Sequence, residues 1–320
     1  MIEIVLLTGF LGTGKTSLIN GWLAALDDTS RIGVVVNEAG DTPFDGTLIA
    51  EVSGDASSVR MLGNGCLCCQ AGDDLAQAIR AIDRLHRERT GRHSARIIVE
   101  ASGIALPGAL LRQLQAVHDL PLSVHVVATV DAARPIDAAA PGEIRAQWAG
   151  AGTLVVTRMG LPSADPAGAL AAARAVNPLA RVVVEPKLGR AGLLAFAPDG
   201  SVDPVFVPEA EQHSSDIAVF TLQQTGHSFW ADYEEWFDNL AGLAGDRLLR
   251  VKALLRPALG PARLIQAVGS TFSLPRPIET EAAGHVVVIA RDFDAAEFAT
   301  IEPAGLLALP HTNAHAHAHV

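Results

Sequence analysis

From Ile2 to Thr8 the chain is almost continuously apolar and rich in Ile, Val and Leu, which predicts a strand buried on both faces; a Gly-rich turn follows it. Thr16 to Leu26 then predicts a helix, and the rhythm repeats. Ile32 to Asn37 reads as a strand, Val59 to Leu62 as strand-like, Asp74 to Glu88 as a helix, Arg96 to Glu100 as a strand, Leu106 to Gln115 as a helix and Val124 to Asp131 as a strand. A strand at Thr153 to Thr157, a helix from Asp165 to Val176 and a strand at Arg181 to Glu185 close the series. Strands alternating with helices imply an α/β fold, a parallel sheet with helices on both faces.

After residue 197 the pattern changes. Residues 198–215 carry prolines, a glycine and polar residues without periodicity, the composition of a linker. Residues 216–310 predict a second, smaller α+β domain: strands at Ile217 to Gln223, Leu248 to Leu255, Ala262 to Val268 and His285 to Ala290 around a helix from Phe229 to Leu243. Residues 311–320 hold His311, His315, His317 and His319 among small residues, a His-rich tail expected to be disordered on composition and to collect metal.

Composition narrows the function. Of the 320 residues 49% are hydrophobic and 18% charged, so neither a disordered chain nor a coiled coil fits. A net charge of -11 argues against wide electrostatic binding of nucleic acid or an anionic membrane, so any bound anion must meet a local device. No apolar run approaches the roughly 18 residues of a membrane span. The first residues lack the basic start of a secretory signal, and a cytoplasmic location is expected.

The local device is Gly9-Phe10-Leu11-Gly12-Thr13-Gly14-Lys15-Thr16, a Walker A pattern placed between a predicted strand and a predicted helix. Gly12, Thr13 and Gly14 let the backbone curl its N–H groups around phosphate oxygens. Lys15 is expected to reach the β and γ phosphates, and the Thr16 hydroxyl to ligate Mg²⁺. Lys15 is one of only three lysines, with Lys187 and Lys252, in a chain that otherwise uses Arg. As an exposed loop residue it is expected to carry little packing. Glu100 ends a predicted buried strand, where open α/β sheets bind ligands, and is expected to hold Mg²⁺ through water; Gly103 offers a backbone N–H near a γ-phosphate.

All three cysteines, Cys66, Cys68 and Cys69, fall within Gly65-Cys66-Leu67-Cys68-Cys69. Three thiolates on one loop suit Zn²⁺ with an open fourth position, or Cu(I). A redox pair and buried small side chains stay open on spacing alone.

Together these segments resemble the CobW-type metallochaperone GTPases, a branch of the P-loop GTPases that handle metals for other proteins. Gly9 to Ser17 resembles the family's phosphate loop, Asn37-Glu38-Ala39-Gly40 with Asp45-Gly46 its first switch, and Gly65 to Cys69 its Gly-Cys-x-Cys-Cys hallmark. Glu100-Ala101-Ser102-Gly103 with Pro107, and Val130-Asp131-Ala132, are similar to its following segments. In the second domain Leu249-Arg250-Val251-Lys252 and Gln266-Ala267-Val268-Gly269 resemble the family's C-terminal domain.

The resemblance implies GTP with Mg²⁺, a Zn²⁺ cargo (Co²⁺ being used by relatives) and a client metalloprotein that receives it. It also implies that Glu38 completes the metal shell or contacts Mg²⁺, and that Asp45 positions water or Mg²⁺. One motif departs: where the family carries Asn-Lys-x-Asp for guanine, this chain has Thr157-Arg158-Met159-Gly160, so ATP becomes possible and Arg158 is expected to lay its guanidinium over a purine. Three functions stand against each other: a nucleotide-driven metallochaperone, a passive metal buffer, and a P-loop kinase whose cysteines are structural.

Overall fold

The computed structural model describes residues 1–37, 59–62, 73–134, 141–197, 212–213 and 217–309. Glu38, Asp45, Cys66, Cys68, Cys69 and the histidines of the tail lie outside these residues. The chain divides into two compact units, Met1–Phe206 and Val207–Val320. No helix among the described residues is long and apolar enough to cross a membrane.

Among the described residues of the first unit seven strands pair in parallel: β1 (Ile2–Thr8), β2 (Ile32–Asn37), β3 (Val59–Leu62), β4 (Arg96–Glu100), β5 (Leu122–Asp131), β6 (Thr153–Thr157) and β7 (Arg181–Val184), in the order β3-β2-β4-β1-β5-β6-β7. Ile2, Ile4, Val5, Leu6 and Leu7 of β1 are all buried, as its largely apolar run leads one to expect of a central strand. Register aligns Leu7 with both Glu100 and Val127, and Asp131 with Thr157, so the carboxyl ends of β1, β4, β5 and β6 share one edge. Because β1 lies between β4 and β5, the strand order reverses at that edge, where α/β sheets open a crevice for ligands.

Among the described residues of this unit the helices are α1 (Lys15–Ala24), α2 (Asp73–Thr90), α3 (Pro107–Leu114), α4 (Gly142–Gly150), α5 (Pro166–Val176) and, after β7, α6 (Leu188–Ala195). Neither α4 nor α6 is anticipated by the sequence pattern. Every residue of α4 from Ile144 to Gly150 is buried, so it lacks the polar face that makes a helix visible as a periodicity. Helix α6 contains Gly189 and Gly192, which lower its intrinsic propensity. Those glycines serve packing. A Cβ on Gly192 would lie 2.4 Å from that of Trp22, and one on Gly21 2.6 Å from that of Leu188, so α1 and α6 approach almost backbone to backbone. Trp22 meets Phe196 edge-on at 5.2 Å within a core that includes Val5, Leu7, Leu18, Val127 and Val155.

Among the described residues the second unit is an antiparallel sheet of eight strands: β8 (Gln212–His213), β9 (Ile217–Gln224), β10 (Leu248–Leu255), β11 (Ala262–Val268), β12 (Thr271–Phe272), β13 (Arg276–Ile278), β14 (His285–Arg291) and β15 (Leu307–Ala308). Helix α7 (Trp230–Ala244) buries Tyr233, Trp236, Phe237 and Leu240 against Phe220, Val251, Ile265 and Val288 of the sheet; α8 (Ala295–Phe298) adds Phe298, edge-on to Phe220 at 4.9 Å. The four longest strands and α7 follow the predicted α+β pattern, while β8, β12, β13 and β15 are too short for a period-two signal.

His285 opens the buried strand β14, with Nδ1 3.0 Å from the Ala283 carbonyl and Nε2 without a hydrogen-bond partner among the described residues. Burial lowers its pKa below the ordinary imidazole value; the Ala283 carbonyl opposes that fall and the Lys252 charge adds to it. The unfolded chain therefore binds a proton below about pH 6.5 that the folded chain refuses. Stability from this group is full above that pH and declines as pH falls toward the folded pKa. Denaturation midpoints at pH 7.5 and 5.5 should show a larger acid loss for the native chain than for His285→Gln. Equal losses would contradict the assignment.

Candidate functional site

The Gly-rich segment leaves β1 and enters α1 at the switch in strand order. Gly14 caps the helix in the left-handed region (φ 87°, ψ 25°), a conformation that costs other residues about 1 kcal/mol or more and leaves the first N–H groups of α1 open to an anion. Gly9 (φ 145°) is fixed by crowding, because a Cβ there would lie 1.9 Å from Thr129 Oγ1. That hydroxyl sits 2.6 Å from Thr13 Oγ1, which also donates to the Phe10 carbonyl at 2.8 Å.

Lys15 is buried, contrary to its expected exposure, with 8% of its surface accessible. Its ammonium folds back over the loop and donates to the carbonyls of Gly9 (2.8 Å) and Phe10 (3.3 Å), so the side chain braces the loop that it serves. Ser17 lies exposed in the first turn of α1. Thr16 Oγ1 donates to Glu100 Oε1 at 2.8 Å, joining the start of α1 to the end of β4. Glu100 is 5% exposed. A hydroxyl and a carboxylate in contact form a hard-oxygen pair of the kind Mg²⁺ accepts.

Gly103 lies against the phosphate loop: a Cβ at this position would come within 2.7 Å of the Leu11 nitrogen and 2.5 Å of Leu11 Cδ2. Only glycine lets the backbone run so close to the loop. At the other side Thr157 Oγ1 donates to the carbonyls of Thr13 (2.7 Å) and Val130 (3.2 Å). Arg158, at a positive φ of 57°, donates from Nη1 to Asp131 Oδ2 at 2.7 Å and to the Gly12 carbonyl at 3.2 Å. The base segment is thus tied to the phosphate loop, and the guanidinium expected over a purine is engaged by Asp131. Asp165 accepts from Gly168 N at 2.9 Å as the cap of α5.

The structure therefore brings Gly12, Thr13, Gly14, Lys15, Thr16, Glu100, Gly103, Thr157 and Arg158 to one sheet edge. Asp45, Glu38, Cys66, Cys68 and Cys69 lie outside the described residues, among which no group of three or more His, Cys, Asp or Glu could hold a metal ion. Two site residues escape sequence reasoning. Thr129, inside β5, looks like any strand threonine, and Gln147, buried in α4, has no spacing that marks it.

Residues 3–184 match the nucleotide-binding domain of the CobW/HypB/UreG family. Among curated proteins, a zinc chaperone CobW from Sinorhizobium sp is 38% identical over 113 residues, 34% of this chain and 30% of the relative. The zinc-regulated GTPase metalloprotein activator 1 of Schizosaccharomyces pombe is 37% identical over 112 residues, 34% of this chain and 26% of the relative. The zinc chaperone YjiA of Escherichia coli is 35% identical over 112 residues, 35% of this chain and 33% of the relative. The matched stretches thus span a third or less of these relatives. The zinc(II)-bound crystal structure of E. coli YjiA GTPase superposes with a TM-score of 0.65 at 19% identity, covering 93% of this chain and 96% of that one, a likeness of fold.

Proposed function

Because the chain belongs to the CobW/HypB/UreG family, we propose that it is a nucleotide-driven metallochaperone that hydrolyses GTP, accepts ATP as a second substrate, and delivers Zn²⁺ to a client metalloprotein. The observation that carries this reading is the contact of Thr16 with Glu100 beneath a loop whose backbone is held by Lys15 and faced by Gly103. The nucleotide phosphates would lie on the N–H groups of the loop and of α1. Thr16 and Glu100 would hold Mg²⁺, which when bound neutralises charge between the phosphate oxygens. Lys15 exchanges its loop carbonyls for phosphate oxygens, and Gly103 presents its N–H where a γ-phosphate differs from its absence. Asp45 would orient the attacking water.

Cargo would be held by Cys66, Cys68 and Cys69 with Glu38 as a further ligand; Co²⁺ would fit the same donors. Along the chain the thiols fall between β3 and α2, flanked by the switch-like segment and by β4. Ordering around a γ-phosphate is a two-state device that would couple nucleotide to metal release.

One Co²⁺ per chain is the expected stoichiometry, with a thiolate charge-transfer band, proton release and affinity that rises with pH near neutrality. The band should vanish when all three cysteines are changed to Ser. Its survival in that variant would remove the thiols from the metal site. Nucleotide turnover with and without Zn²⁺ separates a driven chaperone from a passive buffer.

A further inference from the structure

The segment 101–105 reaches the phosphate loop without being part of the sheet or of a helix, so something must fix its carbonyls as well as its glycine. Ala101 N donates to the Leu7 carbonyl at 2.8 Å, which anchors only its start. Ala105 N closes a turn onto the Ser102 carbonyl at 3.0 Å, and Gln147 holds the carbonyls of Gly103 and Ala105. Its side chain is fully buried, and Nε2 donates to the Gly103 carbonyl at 2.9 Å and to the Ala105 carbonyl at 3.1 Å. The amide orientation is dictated by these partners, since a flipped amide would set its oxygen against two carbonyl oxygens.

Neighbouring Trp148 repeats the arrangement on the other side of the loop. Its Nε1 donates to the Thr129 carbonyl at 3.1 Å, and Thr129 Oγ1 meets Thr13 Oγ1. Asn177 locks the end of α4 by donating to the carbonyls of Trp148 (2.7 Å), Ala149 (3.1 Å) and Ala151 (2.9 Å). Helix α4 thus holds two backbone segments against the phosphate loop through consecutive side chains. Burying an amide costs more than burying an apolar side chain of the same size unless its hydrogen bonds are made. Gln147 Oε1 has no partner among the described residues, so the side chain is placed for its donors alone.

We propose that Gln147 is a positioning residue: it sets the Gly103 N–H relative to the phosphate loop and so governs how the protein distinguishes a triphosphate from a diphosphate. This rests on the reading of the loop as a nucleotide site. Gln147 acts through the carbonyls of Gly103 and Ala105, both of which follow the Gly103 N–H in the chain.

Gln147→Met keeps length and burial and removes both donors. The variant should bind a nucleoside diphosphate within about threefold of the native chain, while losing about tenfold in affinity for a non-hydrolysable triphosphate and about tenfold or more in turnover, the scale expected of a slightly misplaced group. A purely structural role would weaken both nucleotides together. Equal losses, or native turnover and native triphosphate preference in the folded variant, would overturn the proposal. A second measurement needs no variant: hydrogen exchange of residues 101–106 in the native chain should be slower with the triphosphate analogue than with the diphosphate, and equal protection would also overturn it. If the native chain binds neither nucleotide, the nucleotide site itself fails and this inference falls with it. If it binds both and Gln147→Met changes nothing, the positioning role alone fails.

Discussion

Lys15→Ala should reduce nucleotide hydrolysis at least about 100-fold, the loss seen when one preorganised donor to a developing negative charge is removed. The substitution acts on the chemistry and on the scaffold. In the native loop the ammonium donates to the Gly9 and Phe10 carbonyls while 92% of the residue's surface is hidden, so its removal leaves two acceptors without a charged donor. Hydrogen bonds to charged groups contribute about 1.5–3 kcal/mol each, and water entering the loop recovers part of that. A stability loss of about 1–3 kcal/mol is therefore expected beside the catalytic loss. Lys15→Met keeps an unbranched stem and no donor: it should lose turnover as fully as Lys15→Ala, and any stability it regains over Lys15→Ala measures the packing of the stem, not the hydrogen bonds. Phosphate release under saturating nucleotide and chemical denaturation of the same samples read both quantities. Native turnover in a folded Lys15→Ala protein would sink the nucleotide mechanism.

Discrimination between GTP and ATP should fall below about 100-fold in dissociation constant. In the resembling family the Asp of Asn-Lys-x-Asp accepts from guanine N1–H and the exocyclic amine, hydrogen bonds worth about 1.5–3 kcal/mol each, and Gly160 stands in its place. The nearby polar groups have other partners. The Thr157 hydroxyl faces the Thr13 and Val130 carbonyls, Asp131 holds Arg158, and Asp165 caps α5. Asp165 therefore has a role of its own and is not poised to replace the absent carboxylate. Among the described residues there is space for one, since none lies within 4 Å of a Cβ on Gly160. Gly160→Asp should raise the GTP preference by about tenfold or more, the effect of one charged acceptor on a base that offers two donors. Non-hydrolysable analogues of the two nucleotides measure it. A native preference above about 100-fold would mean that another acceptor reads the base.

The sheet was legible because its central strands are buried on both faces: apolar stretches such as Ile4 to Leu7 and Ile97 to Val99 do not show the alternation of half-exposed strands. The phosphate loop was legible because left-handed and crowded positions demand glycine at Gly9 and Gly14, a constraint written directly into residue identity. Helix α4 was hidden for the opposite reason, since burial all round erases the contrast on which periodicity depends. Gln147 was hidden with it: a single amide in a buried helix acquires meaning only from the carbonyls it reaches, which are more than 40 positions away in the chain. The burial of Lys15 depends on its own backbone curling around it, a fact of three-dimensional shape. His285 is similar, because its altered basicity comes from the sheet that closes over it.

The close approach of α1 and α6 bears on where an independently folding nucleotide domain can end. The family match stops at Val184, yet Ala191, Ala195 and Phe196 share one buried core with Leu18, Ile19 and Trp22 on the helix that carries Lys15 and Thr16, and Phe196 meets Trp22 edge-on. A fragment cut at the end of the match would lay that apolar face of α1 open to water and to other chains. A fragment that keeps this face of α1 covered must therefore extend through Phe196, past the end of the family match.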